Sequence, residues 1–164
     1  MPEQKNPSSA SKGPAAPRGG YFLRSVEFGL AVLGALDCVG VAGLFTSTQL
    51  GQQLWPLPGL YFVEISLLGI TAFLAVARNG SQFASRWSAL PWIAAGILAT
   101  FFVLGGFSIG PSLGPGMLAF LVAGILQDIR QRGDWPRHFM LFMLAALLQG
   151  GLMFAMVFVQ GPYL

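Results

Sequence analysis

Residues 25–46 read SVEFGLAVLGALDCVGVAGLFT, a long apolar run in which Glu27 and Asp37 are the only charged side chains. A helix that crosses the hydrocarbon core of a bilayer needs about 20 predominantly apolar residues. Four further runs of this kind follow along the chain, at about residues 57–77, 88–109, 113–128 and 138–160. The sequence therefore predicts an all-α, polytopic membrane protein whose residues 21–164 form a bundle of five transmembrane helices.

The composition of the whole chain agrees with this prediction. Of the 164 residues, 54% are apolar and 9% are charged, and the mean hydropathy is +0.66. A soluble domain has about 25% charged residues, and a small soluble fold leaves a large fraction of its surface in water. A soluble enzyme and a nucleic-acid-binding module are therefore excluded. A disulfide scaffold is excluded as well, because Cys38 is the only cysteine.

The third and fourth spans are separated only by residues 110–116, which read GPSLGPG. Prolines and glycines at this density interrupt a helix. We therefore predict that a tight hairpin joins these two spans. The fourth span is the shortest of the five, and we expect it to begin below the membrane surface.

The basic residues indicate how the bundle is oriented. With five spans, all nine Lys and Arg residues fall on the side of the N-terminus, and residues 47–56, 110–116 and 161–164 carry no charged side chain. Because basic loops stay in the cytoplasm, we expect a cytoplasmic N-terminus and an extracytoplasmic C-terminus in a cell membrane, such as the inner membrane of a bacterium. Residues 1–20 are rich in proline and serine, which predicts a disordered cytoplasmic tail.

Four polar side chains are predicted to lie at one depth near the middle of the membrane. At a rise of about 1.5 Å per residue, Asp37 and Glu64 are about 18 Å and 20 Å from the inner ends of their spans. Thr100 in the third span and Gln149 in the fifth lie at about 18 Å and 17 Å. This polar layer is the most specific feature of the sequence, and Tyr61 and Thr71 share the helical stripe of Glu64.

The polar layer has two interpretations. An ionised carboxylate at a helix centre costs about 2.5–3.5 kcal/mol, so such residues often serve transport of protons or cations. Alternatively, protonated acids and amides hydrogen-bond between helices and simply hold the bundle together. We favour the structural interpretation and keep a proton or cation path as the alternative.

Polar residues near the span ends give weaker signals. Glu27 is expected to pair with Arg24 one turn earlier. His138, next to Arg137, lacks the second ligand and the membrane depth expected of a haem or chlorophyll ligand, so it is interpreted as an interfacial histidine. Residues 106–110, GFSIG, match the G-x-S-x-G pattern of serine hydrolases. They end a membrane helix, however, and Ser108 and His138 are predicted on opposite membrane sides, which excludes a hydrolase built from that pair.

These observations predict a non-enzymatic accessory or scaffold subunit of a larger membrane complex. The alternative is a small proton- or cation-coupled transporter or channel that uses Asp37 and Glu64. An intramembrane enzyme is a distant third hypothesis, since no catalytic, metal-binding or cofactor-binding motif is evident. The expected partners are the lipid bilayer and other membrane subunits or further copies of this chain, and no nucleic acid.

Overall fold

The predicted helical bundle is confirmed. The computed structural model describes residues 19–48, 57–78, 87–106, 109–131 and 133–160. Within these residues the chain forms five α-helices and no strand: α1 (Gly19–Thr48), α2 (Leu57–Arg78), α3 (Leu90–Leu104), α4 (Gly110–Gln131) and α5 (Trp135–Gln160). Gly19 and Gly20, which the tail prediction included, belong to α1, and the rest of the predicted tail lies outside the described residues.

The helices pack as a ring of four with a fifth helix outside it. Helices α1, α2, α3 and α4 each contact their neighbours around the ring, and α5 packs on α3. Gly96 of α3 lies against Phe142 of α5, and Thr100, one turn later in α3, bonds to Ala146, one turn later in α5. These two helices are therefore parallel. The start of α1, the end of α2, the start of α3, the end of α4 and the start of α5 therefore share one end of the bundle, which we call the basic end.

Small residues allow the helices to approach closely, both within the ring and where α5 packs on α3. A methyl group on Gly69 of α2 would lie 2.7 Å from Cβ of Cys38 of α1. A methyl group on Gly96 of α3 would overlap the carbonyl oxygen of Phe142 on α5. Close packing of this kind is the main source of association between membrane helices, because lipid chains are as apolar as leucine.

Four of the five helices are long and apolar enough to cross a membrane: α1, α2, α4 and α5. The exception is α3, whose 15 residues give about 22 Å of helix at a rise of 1.5 Å per residue. The predicted span at 88–109 is thus longer than the helix it contains. Most of α3 is nevertheless buried by its neighbours, including Trp92, Leu98 and Phe101.

The predicted hairpin between the third and fourth helices is present but lies earlier in the chain. Helix α3 ends at Leu104 and α4 begins at Gly110, so residues 110–116 form the first two turns of α4 rather than the connection. Pro111 fits there because the first N–H groups of a helix have no intrahelical partner. Pro115 lies inside α4, and the residue after it, Gly116, donates its N–H to Asp37 of α1.

Candidate functional site

Asp37 contacts the start of α4. Its Oδ2 accepts a hydrogen bond of 2.9 Å from the backbone N–H of Gly116. Gly116 allows this close approach, because a Cβ built at this position would lie 2.6 Å from that carboxylate oxygen and would displace it. The Asp37 side chain also borders an open groove of about 580 Å³ between α1 and α4. The other side chains that line this groove are all apolar: Leu30, Leu33, Leu36, Pro115, Leu118, Ala119 and Val122.

The other three members of the predicted polar layer meet around α5. Thr100 donates its hydroxyl to the carbonyl of Ala146 at 2.8 Å, one turn before Gln149. Glu64 interacts electrostatically with Gln149. Gln149 is buried, and its Nε2 has no partner at hydrogen-bond geometry among the described residues. The predicted layer therefore divides into two contacts, one between α1 and α4 and one among α2, α3 and α5.

The two residues predicted beside Glu64 have separate contacts. The ring of Tyr61 packs edge-on against Phe101 of α3, with ring centroids 5.7 Å apart. Thr71 is exposed and donates its hydroxyl to the carbonyl of Leu68 in its own helix. Tyr61 thus joins α2 to α3, whereas Thr71 contributes to the surface of α2.

At the basic end, Glu27 pairs with Arg130 of α4 rather than with Arg24 as expected. Nε and Nη2 of Arg130 donate to the two carboxylate oxygens at 2.8 and 3.0 Å. Glu27 is 2% exposed, so its charge is compensated inside the protein. The local spacing favoured Arg24, but α1 packs along α4, and a guanidinium matches both oxygens of a carboxylate at once.

His138 has partners, contrary to its interpretation as a simple interfacial histidine. Nδ1 of His138 lies 2.8 and 2.9 Å from the two carboxylate oxygens of Asp128, and Nε2 lies 3.4 Å from Oγ of Ser88. All three side chains are buried, and they come from the end of α4, the start of α5 and the turn before α3. We call Ser88, His138 and Asp128 the basic-end relay.

Two more buried polar side chains lie next to relay residues along the chain: Trp92, one turn after Ser88 on α3, and Gln127, directly before Asp128 on α4. The Trp92 ring lies 6.5 Å from the His138 ring, measured between centroids. A methyl group built on Gly124 would lie 2.9 Å from Nε1 of Trp92, one turn before Gln127 and Asp128 on α4. Both Trp92 and Gln127 are 1% exposed, and within the described part of the chain Nε1 of Trp92 and both side-chain heteroatoms of Gln127 have no hydrogen-bond partner.

Sequence reasoning missed the basic-end relay, although a signal was available. Asp128 and His138 flank the short connection between two antiparallel helices, so they must lie at the same end of the bundle. Ser88 opens the third span at that end as well. Ser108, the serine of the G-x-S-x-G pattern, lies outside the described residues.

The relay contains two side chains of the metal-ligand types, Asp128 and His138. No group of three or more His, Cys, Asp or Glu side chains that could hold a metal ion occurs in the described ranges.

No protein family model, curated protein or solved structure matches this chain. Its function must therefore be argued from the geometry of its own residues.

Proposed function

We propose that this membrane protein is an accessory or scaffold subunit of a larger membrane complex, and that its mid-depth polar residues hold its own helices together. The hydrogen bond between Asp37 and Gly116 carries this proposal. In this bond the Asp37 carboxylate accepts from the backbone N–H of Gly116, next to Pro115, where the proline interrupts the hydrogen bonds of α4. This role of the carboxylate is structural. Thr100 performs a similar task when it donates to the backbone of α5.

The division of the polar layer also favours the structural role. A proton or cation path needs polar groups that follow one another across the membrane. Asp37 and Glu64 instead interact with different helices, α4 and α5. The groove beside Asp37 is lined by apolar side chains over most of its surface.

Helix α5 is the surface on which we place the partner. Only 6% of its most apolar 18-residue window is buried inside the bundle, against 50% for α4. Its outer side carries large apolar side chains, including Met140 at 72% exposure and Leu147 at 74%. A membrane-embedded helix of a second protein would cover this side through van der Waals packing.

Site-specific photocrosslinking in native membranes tests the partner. A photoreactive phenylalanine analogue is placed in turn at Met140, Leu144, Leu147 and Leu148 of α5, with Leu33 and Leu36 on the exposed side of α1 as matched controls. We expect discrete protein adducts from α5 positions, repeating at three and four residues, and none from α1. Adducts that are equally frequent from both helices, or absent from α5, would contradict the proposal.

Transport through Glu64 is the second candidate, and one observation favours it. Glu64 interacts with Gln149, whose buried Nε2 has no hydrogen-bond partner in the described structure, as expected of a site where this donor binds water beside the carboxylate. Proton and cation flux in proteoliposomes, compared between wild type and Glu64→Gln, decides between the two. The accessory role predicts no flux in either, whereas flux that the substitution abolishes would establish transport.

A further inference from the structure

The basic-end relay has the arrangement of a general base and its orienting acid next to a hydroxyl. The two nitrogens of a neutral imidazole differ, and the hydrogen bond made by one of them sets the tautomer. Here Nδ1 of His138 lies against the Asp128 carboxylate, which accepts hydrogen bonds, so the neutral imidazole that makes this contact has its proton on Nδ1. Nε2 is then left as an acceptor facing Oγ of Ser88 at 3.4 Å.

Ser88 lies at the amino-terminal end of α3, which supplies a second element of acyl-transfer chemistry. The first N–H groups of a helix have no intrahelical partners and carry the positive end of the helix dipole. The residue after Ser88, Ala89, is the N-cap of the 15-residue helix α3. Pro91 has no N–H and the N–H of Leu90 donates to Trp87 at 3.2 Å, so an oxyanion formed at Ser88 would be stabilised by the positive end of the helix dipole and not by free backbone donors.

The buried side chains beside the relay are a separate observation that points to a polar guest. The indole N–H of Trp92 and the amide of Gln127 are both 1% exposed and have no partner among the described residues. A buried donor without a partner destabilises the fold. Nε1 of Trp92 faces Gly124 of α4, so a polar guest held between α3 and α4 would give these donors an acceptor.

We propose that Ser88 is an acyl-accepting nucleophile, with His138 as its general base and Asp128 as the residue that orients His138, acting on carboxylic esters at the membrane interface. The roles follow from geometry, since this combination is recognised by its contacts and not by sequence position. The interfacial location follows from the neighbouring charged residues of the basic end, Arg130 among them. This site is separate from the partner surface of α5 and from the mid-depth layer.

The reaction proceeds in two balanced steps. Oγ of Ser88 bonds to the ester carbonyl carbon while its proton passes to Nε2 of His138, and the C–O bond to the alcohol then breaks as the alcohol takes that proton. Water next attacks the acyl-serine, His138 again takes and returns one proton, and a carboxylic acid and the free serine are released. No metal, oxidant or reductant is required.

A fluorophosphonate probe tests the nucleophile directly, because it phosphonylates an activated serine with loss of fluoride. The full-length protein is purified in mild detergent, exposed to the probe, and the modified residue is located by mass spectrometry. We expect modification of Ser88 in the wild type and none at this position in Ser88→Ala. The matched control is Ser66→Ala, which removes a hydroxyl that donates only to the carbonyl of Phe62 in its own helix and should leave labelling of Ser88 unchanged.

The base is tested with His138→Ala, checked for folding by gel filtration and circular dichroism. Its labelling rate should fall about 100-fold or more, as expected when a general base is lost, and added imidazole should restore part of that rate. If His138→Ala does not fold, His138→Gln takes its place, with the same expected loss. A folded wild type that leaves Ser88 unmodified, or equal labelling rates with and without His138, would overturn the proposal.

The source of the ester is distinguished with two substrates. One arm uses p-nitrophenyl butyrate in detergent solution, and the other uses phospholipid vesicles that contain this protein, analysed for released fatty acid. Release in either arm that disappears in Ser88→Ala supports the proposal, and the arm in which it occurs identifies a soluble or a lipid ester. Equal release by wild type and Ser88→Ala in both arms would overturn it. These outcomes are independent of the crosslinking result for α5.

Discussion

Replacing Arg130 with methionine tests how strongly the buried ion pair holds α1 against α4. Methionine keeps much of the apolar stem but leaves Glu27, 2% exposed, without a partner for either carboxylate oxygen. Breaking a buried pair in this way costs about 3–5 kcal/mol. The Arg130 side chain is 22% exposed, so water can reach part of the site, and we expect a loss of about 3 kcal/mol.

The free energy of unfolding is measured by reversible denaturation in mixed micelles titrated with dodecyl sulfate. The double variant Glu27→Gln with Arg130→Met should return to within about 1 kcal/mol of the wild type, since no unpaired charge remains. Arg24→Met is the matched control: it removes an exposed arginine one turn from Glu27 and should change stability by less than about 0.5 kcal/mol. A loss below about 1 kcal/mol for Arg130→Met would refute the reasoning.

Three further predictions use the same unfolding assay or a reporter. Gly96→Ala should cost about 1–3 kcal/mol by forcing α3 and α5 apart, whereas Gly43→Ala, with nothing within 4 Å of the added methyl group, should have little effect. Asp37→Asn should leave stability equal or higher, because an amide oxygen still accepts from Gly116 without the cost of a buried charge; a marked loss would mean that the ionised form is needed. A reporter fused after Leu164 should be extracytoplasmic, and a cytoplasmic one would exclude the five-span topology.

The number and order of the helices could be predicted from apolar runs, because burial in lipid demands length and hydrophobicity from each helix separately. The residue at which α4 begins, Gly110, could not be predicted in this way. Prolines at 111 and 115 predict an interrupted helix when only neighbouring residues are considered. The backbone group next to Pro115 is instead compensated by Asp37, 79 residues earlier in the chain, and such a partner becomes visible only once α1 and α4 are packed together.

The candidate sites show the same division between local and long-range information. Counting residues from the span ends predicts the depth of Glu64 and Gln149, but depth does not say which helices are neighbours in the ring. Glu27 was expected to pair with Arg24 in its own helix and His138 to lie at the interface, whereas Glu27 and His138 are buried, as is Asp128. They become buried because several helices end at the same level and enclose one another's polar ends.

The shortness of α3 has a consequence for the membrane around the protein. A lone helix of about 22 Å in a hydrocarbon layer of about 30 Å would force the lipids to thin locally. Because α2, α4 and α5 contact α3, the surroundings of α3 are mainly protein. The length of α3 therefore does not have to equal the thickness of the hydrocarbon layer. The turn after it is then free to lie within the membrane depth, where backbone groups must bond to each other, as Gly110 does by donating to the carbonyl of Gly105. The thickness of bilayer that suits this protein is therefore set by its four longer helices, and lengthening α3 alone should leave that preference unchanged.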